Sequence, residues 1–255
     1  MKTPISKLKA LCFIIGFLVV SSCDPVYERQ LCPSYVGCYL KLEGIRLSTT
    51  PENSRSLLIK RSDDTPWITY DLNDSGENLK VYEDLCRKHN DLKYNQYRLV
   101  ARNQAYDEVV YNDCDFTSVT IRADRAFDDT HAAGESLNDV ARFLSWSPAK
   151  FIDSGYSAYY HYDSRGVSDA FNTVMRIFIY RDYFLEETAA TCYPVDKMVN
   201  DLTAEDLVLL GHDGPGLIGI LYFEKTPTQP GDYTFTLSMT TDTGKTFTDS
   251  AVMSF

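Results

Sequence analysis

The sequence lacks the motifs by which several classes of enzyme and metal protein are recognised. It contains no C-x-x-C pair and no H-E-x-x-H pattern, which argues against a zinc ribbon, a thioredoxin-like centre or a zincin. Residues 155–159 read GYSAY, and Tyr159 stands where a serine hydrolase elbow needs its second glycine. No catalytic residue is therefore predicted, and the chain is not expected to be an enzyme.

Metal-binding patterns are equally scarce. Residues 71–82 begin like a calcium loop, but Tyr82 replaces the bidentate glutamate of the twelfth position, which favours a polar turn. Only four histidines occur, and three of them, His131, His161 and His212, lie beside acidic residues without any ligand spacing. The sequence predicts no metal site and no cofactor, and these histidines suit solvated loops better than a general base.

Positive charge is in short supply. The chain has 25 Lys and Arg against 36 Asp and Glu, a net charge of −11. Without residues 1–22, which hold three lysines and no acid, the net charge becomes −14. Such a body repels the phosphates of nucleic acid, so no nucleic-acid partner is expected.

Long apolar runs are absent as well. The apolar run at residues 11–20 follows three lysines and is too short for a transmembrane helix, which needs about 20 residues. A charged stretch followed by a short apolar one is typical of a secretory signal peptide. We therefore interpret residues 1–22 as a cleaved export signal.

The end of this signal resembles the lipobox of bacterial lipoproteins. Val20, Ser21 and Ser22 precede Cys23, whose sulfur would be diacylated before it became the first residue of the mature chain. Several acyl chains on one residue anchor a protein stably to a membrane. Residues 23–30 would then be a tether, and the protein an outer-membrane lipoprotein at the cell surface or the periplasmic face. An ordinary signal peptide followed by a coincidental cysteine is the alternative.

Five further cysteines follow the lipobox: Cys32, Cys38, Cys86, Cys114 and Cys192. An odd number leaves at least one of them unpaired outside the cytoplasm, and spacing does not determine the pairing. Cys32 and Cys38 are the pair closest in sequence. For the others we expect buried thiols.

Alternation of apolar and polar residues predicts mostly strands. Residues 232–241 alternate strictly and are followed by turn residues 242–245 and a second alternating run, which is typical of a terminal β-hairpin. Further strands are predicted at 36–47, 56–61, 66–72, 96–103, 116–123, 157–163, 173–180 and 217–225. Helical spacing appears at residues 134–146, with Ser136 as N-cap, and at residues 78–89. The fold class is mainly β, an antiparallel β-sandwich over residues 31–255 with one or two short helical insertions.

Three stretches carry a resemblance to a known family. The lipobox, the segment FDDTHAAGESLNDV at residues 127–140 and the segment GDYTFTLSMTTDTGKTFTDS at residues 231–250 resemble an uncharacterised family of Bacteroidetes lipoproteins. The resemblance implies a cell-envelope setting and an immunoglobulin-like sandwich. It implies no activity and no catalytic residues.

Tyrosines concentrate at residues 155–166, GYSAYYHYDSRG. In a strand Tyr160 and Tyr162 would share one face, and Asp163 and Arg165 follow them. Exposed tyrosines beside charged groups would suit a sugar. The alternative, which the strand preference of tyrosine favours, places them at the rim of a core.

These observations predict a non-catalytic binding or accessory module, anchored through its N-terminal lipid and directed to a glycan or an envelope protein. An envelope-anchored hydrolase acting on glycans and a structural subunit of an envelope assembly are the alternatives.

Overall fold

The computed structural model describes residues 27–50, 53–64, 67–101, 109–161, 163–174, 190–211 and 216–255. Its strands are β1 Tyr27–Cys32, β2 Cys38–Leu40, β3 Ile45–Thr50, β4 Asn53–Arg61, β5 Thr69–Asp71, β6 Gln96–Ala101, β7 Val110–Asn112, β8 Phe116–Ala123, β9 Ala141–Ser147, β10 Tyr193–Met198, β11 Leu217–Phe223, β12 Asp232–Thr241 and β13 Thr246–Ser254. The helices are α1 Gly76–Lys88 and α2 Ala149–Asp153, with 3₁₀ turns at Val199–Asp201 and Ala204–Leu207. Residues 169–174 are also helical.

The strands form several sheets, mostly antiparallel. One sheet has the order β10-β9-β11-β4-β3, a second has β13-β12-β8, a third has β5-β2-β7, and β1 pairs with β6. Within the third sheet β2 and β7 run parallel. The chain is thus mainly β, as predicted, and consistent with a β-sandwich.

The main core lies between the five-stranded sheet and the sheet of β8, β12 and β13. Phe143 of β9 and Leu221 of β11 share one buried cluster with Phe235 and Leu237 of β12. At the seam of the two sheets the backbone N–H of Leu47 in β3 donates to the side chain of Asp249 in β13 at 2.7 Å. The two sheets are therefore joined both through the core and at one edge.

The terminal hairpin is confirmed. Alternate residues of β12 are buried while their neighbours are half-exposed, as a period of two requires. Across the outer face, hydroxyl groups pair between strands, as in Thr236 with Ser250 at 2.9 Å and Ser238 with Thr248 at 3.1 Å. Gly244 adopts φ +82° in the turn, a conformation that favours glycine.

A second region of buried groups surrounds α1, which the sequence also predicted correctly. Tyr82 and Cys86 face inward from α1. The fully buried carboxylate of Asp91, just after the helix, accepts hydrogen bonds from the backbone N–H groups of Tyr35 and Val36 at 2.6 and 2.8 Å. Asp91 thereby holds the segment that leads into β2.

The predicted helix at residues 134–146 is wrong. Residues 138–140 form a turn, and Ala141–Ser147 is strand β9, paired with β10 on one side and β11 on the other. A central strand is buried on both faces, so its apolar run looks like a buried helix in sequence. Upstream, the Asn138 side chain accepts from the Ile121 N–H at 3.1 Å and donates to the Val119 carbonyl at 3.1 Å, so this segment covers the edge of β8.

One predicted strand is not found, and a second is described only at its first two residues. Residues 157–161 and 163 form no strand. Thr173 and Val174 are helical, and the rest of the stretch at 173–180 lies outside the described residues. The predicted strand at 36–47 is divided into β2 and β3. No helix among the described residues is long and apolar enough to cross a membrane.

Replacing Asn138 by alanine should destabilise the fold by about 1–3 kcal/mol, because a buried N–H and C=O at the β8 edge lose their partner. Urea denaturation measures this free energy of unfolding. Asn78→Ala, on the exposed side of α1, is the control and should change it by less than about 0.5 kcal/mol. Equal stability of both variants would show that the β8 edge does not depend on Asn138.

Candidate functional site

The described residues of the predicted tyrosine site do not lie on a strand face. Tyr160 is half-buried, with its ring centre 5.3 Å from that of Tyr193 and 6.2 Å from that of Trp146. Its backbone N–H donates to the Ala190 carbonyl at 2.6 Å. The ring of Tyr160 therefore packs at the rim of a buried cluster. Tyr162 lies outside the described residues.

Asp163 and Arg165 engage each other on the surface. The Arg165 side chain is 89% exposed, and its Nε and Nη2 donate to the two oxygens of Asp163, each at 3.0 Å. These bonds hold the pKa of Asp163 below its usual range. The charged groups of Asp163 and Arg165 therefore bind each other.

The predicted lipidation site lies outside the described residues: Val20, Ser21, Ser22 and Cys23.

His131 is buried between two carboxylates. Its Nδ1 lies 2.7 Å from Asp128 Oδ1, and its Nε2 lies 2.9 Å from Asp139 Oδ1. Both ring nitrogens donate when both acceptors are carboxylates, which makes the ring an imidazolium. The histidine therefore connects Asp128 to Asp139 and stabilises the turn that covers the β8 edge. Of the other two histidines that lie beside acidic residues in the sequence, His161 is exposed and His212 lies outside the described residues.

The hydrogen bonds in this turn shift the pKa values of both His131 and Asp128. Desolvation lowers the pKa of His131, but the hydrogen bonds to Asp128 and Asp139 outweigh it, and the net shift is upward. Desolvation would raise the pKa of Asp128, yet hydrogen bonds from Thr130 and His131 lower it to about 2. Between the lowered pKa of Asp128 and the raised pKa of His131, both side chains carry their charge and the ion pair is formed.

The stability contributed by His131 should be fully present below pH 6.5, its unfolded pKa, and should be lost as pH rises through the higher folded pKa. It should also fall in acid, as the pH drops from 3.8 towards the pKa of about 2 of Asp128. Melting temperatures of the wild type and His131→Gln across pH 3–9 measure the difference. We expect the gap to be widest near pH 5–6. A pH-independent gap would contradict the imidazolium, and the exposed His161→Gln serves as the control.

The five cysteines in the described residues carry thiols instead of disulfides. Cys32, Cys38, Cys86 and Cys192 are buried, and Cys114 is half-buried. Desolvation raises the pKa of Cys38 and Cys114 to about 12 and that of Cys86 to about 11. Thiols with such values are poor nucleophiles and poor metal ligands. Among the described residues, no group of three or more His, Cys, Asp or Glu could hold a metal ion.

A cleft opens where the third sheet meets the five-stranded sheet. Its cavity volume is about 20 Å3, enough for about one water molecule. It is lined by Leu40, Arg61, residues 110–112, Leu210, Gly211, Gly216 and Leu217. The cleft therefore combines ends of β2, β4 and β11 with β7, stretches far apart in sequence.

Arg61, the last residue of β4, is the one cation among the cleft residues described. It is only 2% exposed, and its Nε, Nη1 and Nη2 have no hydrogen-bond partner within the described part of the chain. Its backbone is held, because its N–H donates to the Gly216 carbonyl at 2.6 Å. Leaving a buried charge uncompensated costs about 3–5 kcal/mol.

The surroundings of Arg61 contain an aromatic ring and several acids. The guanidinium carbon lies 5.4 Å from the ring centre of Trp67, which is 51% exposed. Burial lowers the pKa of Arg61, and the carboxylates of Asp113, Glu43 and Asp63 act in the opposite direction. None of these acids accepts a hydrogen bond from the guanidinium, so their effect is long-range.

Glycines shape one wall of the cleft. Gly211 has φ +107°, and a Cβ there would lie 2.6 Å from the Leu217 carbonyl oxygen. Leu209 has φ +47°, an uncommon conformation for a branched residue, and its N–H donates to Asp115 at 3.0 Å. The wall at 209–211 is therefore strained and closely packed against β11.

Sequence reasoning did not identify Arg61, although a signal existed. Arg61 follows Leu57 and Ile59 at a period of two, and both of those residues are buried in the main core. A charged residue at a core-facing strand position is rare unless it has a partner or a function. This position was predicted only as part of a strand.

Comparisons with known proteins identify no relative: no family model, no curated protein and no solved structure matches the chain. The description of the cleft therefore rests on the structure of this chain alone.

Gly211→Ala should destabilise the protein more than Gly134→Ala. Both glycines have positive φ, but a Cβ at 134 meets no atom within 4 Å, whereas a Cβ at 211 meets the backbone of β11. The difference in melting temperature between the two variants reports this contact. Equal melting temperatures would show that the backbone at Gly211 or Leu217 shifts at little cost in stability.

Proposed function

We propose that the chain is a lipid-anchored protein of a Bacteroidetes-type cell envelope and acts as a non-catalytic binding module. The observation that carries the binding role is the buried guanidinium of Arg61, which has no hydrogen-bond partner among the described residues and lies over the ring of the half-exposed Trp67. The envelope setting is supported by the sequence of residues 1–23. The immunoglobulin-like type of sandwich belongs to the same proposal and is supported by two facing sheets and the terminal hairpin.

The polar groups of the cleft suit binding. A guanidinium offers five donors in a fixed plane and does not act as a general base near neutral pH. Tyr111 shares a hydrogen bond with Cys192 at 3.4 Å, which engages its hydroxyl. The side chains of Leu40, Val110 and Leu217 add apolar surface to walls that are otherwise polar.

Membrane anchoring is tested with Cys23→Ala, compared with Cys12→Ala in the apolar part of the signal. We expect Cys12→Ala to remain with the membrane fraction and Cys23→Ala to be released from it, because only Cys23 would carry acyl chains. Protease treatment of intact cells then separates surface from periplasmic exposure. Membrane retention of Cys23→Ala would contradict the lipid anchor.

Binding is tested with the full-length protein, extracted in mild detergent and screened against immobilised glycans and envelope proteins. We expect retention without chemical change of the ligand. Release of shortened glycan products would favour a hydrolase and overturn the non-catalytic role. Stoichiometric co-purification with one envelope protein, without glycan binding, would favour a structural subunit.

A further inference from the structure

We propose that the outward face of the β1–β6 pair is a membrane-contact surface, which lies on the lipid headgroups beside the anchor. The surface is formed by Arg29 and Leu31 of β1 and Tyr97 of β6. This inference rests on the proposed lipid anchor at Cys23 and names the part of the body that meets the bilayer. Three observations support it: the short chain between Cys23 and β1, the apolar side chains exposed on this face, and the cations beside them.

The chain between the anchor and the fold is short. Four residue steps separate Cys23 from Tyr27, the first residue of β1. Even when fully extended, four steps span at most about 14 Å. The polar headgroup layer on each side of the hydrocarbon core is itself roughly 5–8 Å thick. A lipid on Cys23 would therefore keep the start of β1 close to the headgroups, and the β1–β6 pair can lie directly on them.

One face of the β1–β6 pair packs on the body, and the other faces outward. On the inward face Cys32 is buried, and the guanidinium carbon of Arg98 lies 4.8 Å from the ring centre of Tyr94. The strands are antiparallel, and Leu31 is directly opposite Tyr97. Because side chains alternate along a strand, Leu31 and Tyr97 share the face turned away from the body.

This outward face exposes two large apolar side chains as a pair. Tyr97 is 61% exposed, the highest value for a large hydrophobic side chain in the part of the chain that the structure describes. Leu31, opposite it, is 48% exposed. Tyrosine joins an apolar ring to a polar tip and is enriched where a protein crosses the level of the headgroups. The pair therefore suits the boundary between headgroups and water.

Cations lie beside these apolar groups. Arg29 is exposed, and its guanidinium carbon lies 4.9 Å from the ring centre of Tyr97. Lys93 is exposed beside the end of β1, because the N–H of the next residue, Tyr94, donates to the Pro33 carbonyl at 2.9 Å. The anionic phosphates of a bilayer repel an acidic body but attract exposed Lys and Arg side chains. Charge therefore favours an orientation with this end towards the lipid.

Fluorescence quenching of the full-length, lipidated protein in vesicles tests the proposal. A thiol-reactive fluorophore is attached to Tyr97→Cys or, as the control at another exposed apolar residue, to Val252→Cys. The wild type, whose described thiols are buried or half-buried, measures background labelling. The vesicles contain phosphatidylcholine, anionic phosphatidylglycerol and a lipid with a spin-labelled headgroup. We expect this lipid to quench the Tyr97→Cys label at least about threefold more than the Val252→Cys label, because only the former would lie among the headgroups.

Further variants assign the effect to the proposed surface. In the labelled Tyr97→Cys protein, Arg29→Gln together with Leu31→Ser should reduce quenching to the level of the Val252→Cys control, because both the charge and the apolar contact are lost. Trp67→Ser, at an exposed apolar residue outside this surface, is the matched control and should leave quenching unchanged. Sedimentation with the vesicles and the melting temperature verify that each variant keeps its anchor and its fold.

The outcomes separate this inference from the lipid anchor. Equal quenching at the two labelled positions, in a protein that sediments with the vesicles, would overturn the inference and leave the anchor intact. Unchanged quenching in the double variant would do the same. A Tyr97→Cys label that is shielded from aqueous iodide but not quenched by the lipid would show that a protein partner or a second copy covers this face, which also overturns the inference. A protein that does not sediment with the vesicles would contradict the anchor and, with it, the inference.

Discussion

The packing of Phe235 on Phe223 is the contact on which the rest of the structure depends. Their ring centres lie 4.6 Å apart and join the sheet of β8, β12 and β13 to the five-stranded sheet. Phe127 adds a third ring, 5.7 Å from Phe223, and begins the segment that covers the β8 edge. Aromatic pairs of this kind stabilise beyond the apolar area they bury. The edge-covering turn, with His131 and Asn138, is therefore attached to the core at its start and continues into β9 at its end.

The same core explains how a buried cation is tolerated that has no hydrogen-bond partner within the described ranges. Arg61 extends the buried face of β4 that Leu57 and Ile59 begin, and large apolar burial around those residues offsets its cost. A well-packed apolar residue at this position would avoid the cost of burying the charge. The strained Leu209 and the close approach at Gly211 lie beside it. Strain concentrated beside a cleft is typical of a functional site.

The cleft also depends on contacts remote from it. The buried Asp91 holds the segment before β2 through two backbone N–H groups, and β2 in turn supplies Leu40 to the cleft. Raised pKa values keep the buried thiols protonated and out of metal or nucleophilic chemistry.

Sequence alone determined the mainly β class, helix α1 and the terminal hairpin. Each depends on local alternation or helical spacing, and in β12 the burial follows that alternation residue by residue. Tertiary structure decided the strand β9, because pairing on both sides turned an apolar, helix-like run into a central strand. It also made Tyr160 a packing residue and left the Arg61 guanidinium without a hydrogen-bond partner in the part of the chain that the structure describes. Whether a polar side chain has a hydrogen-bond partner depends on residues distant in the sequence. Residue spacing alone does not show which of them the fold brings together.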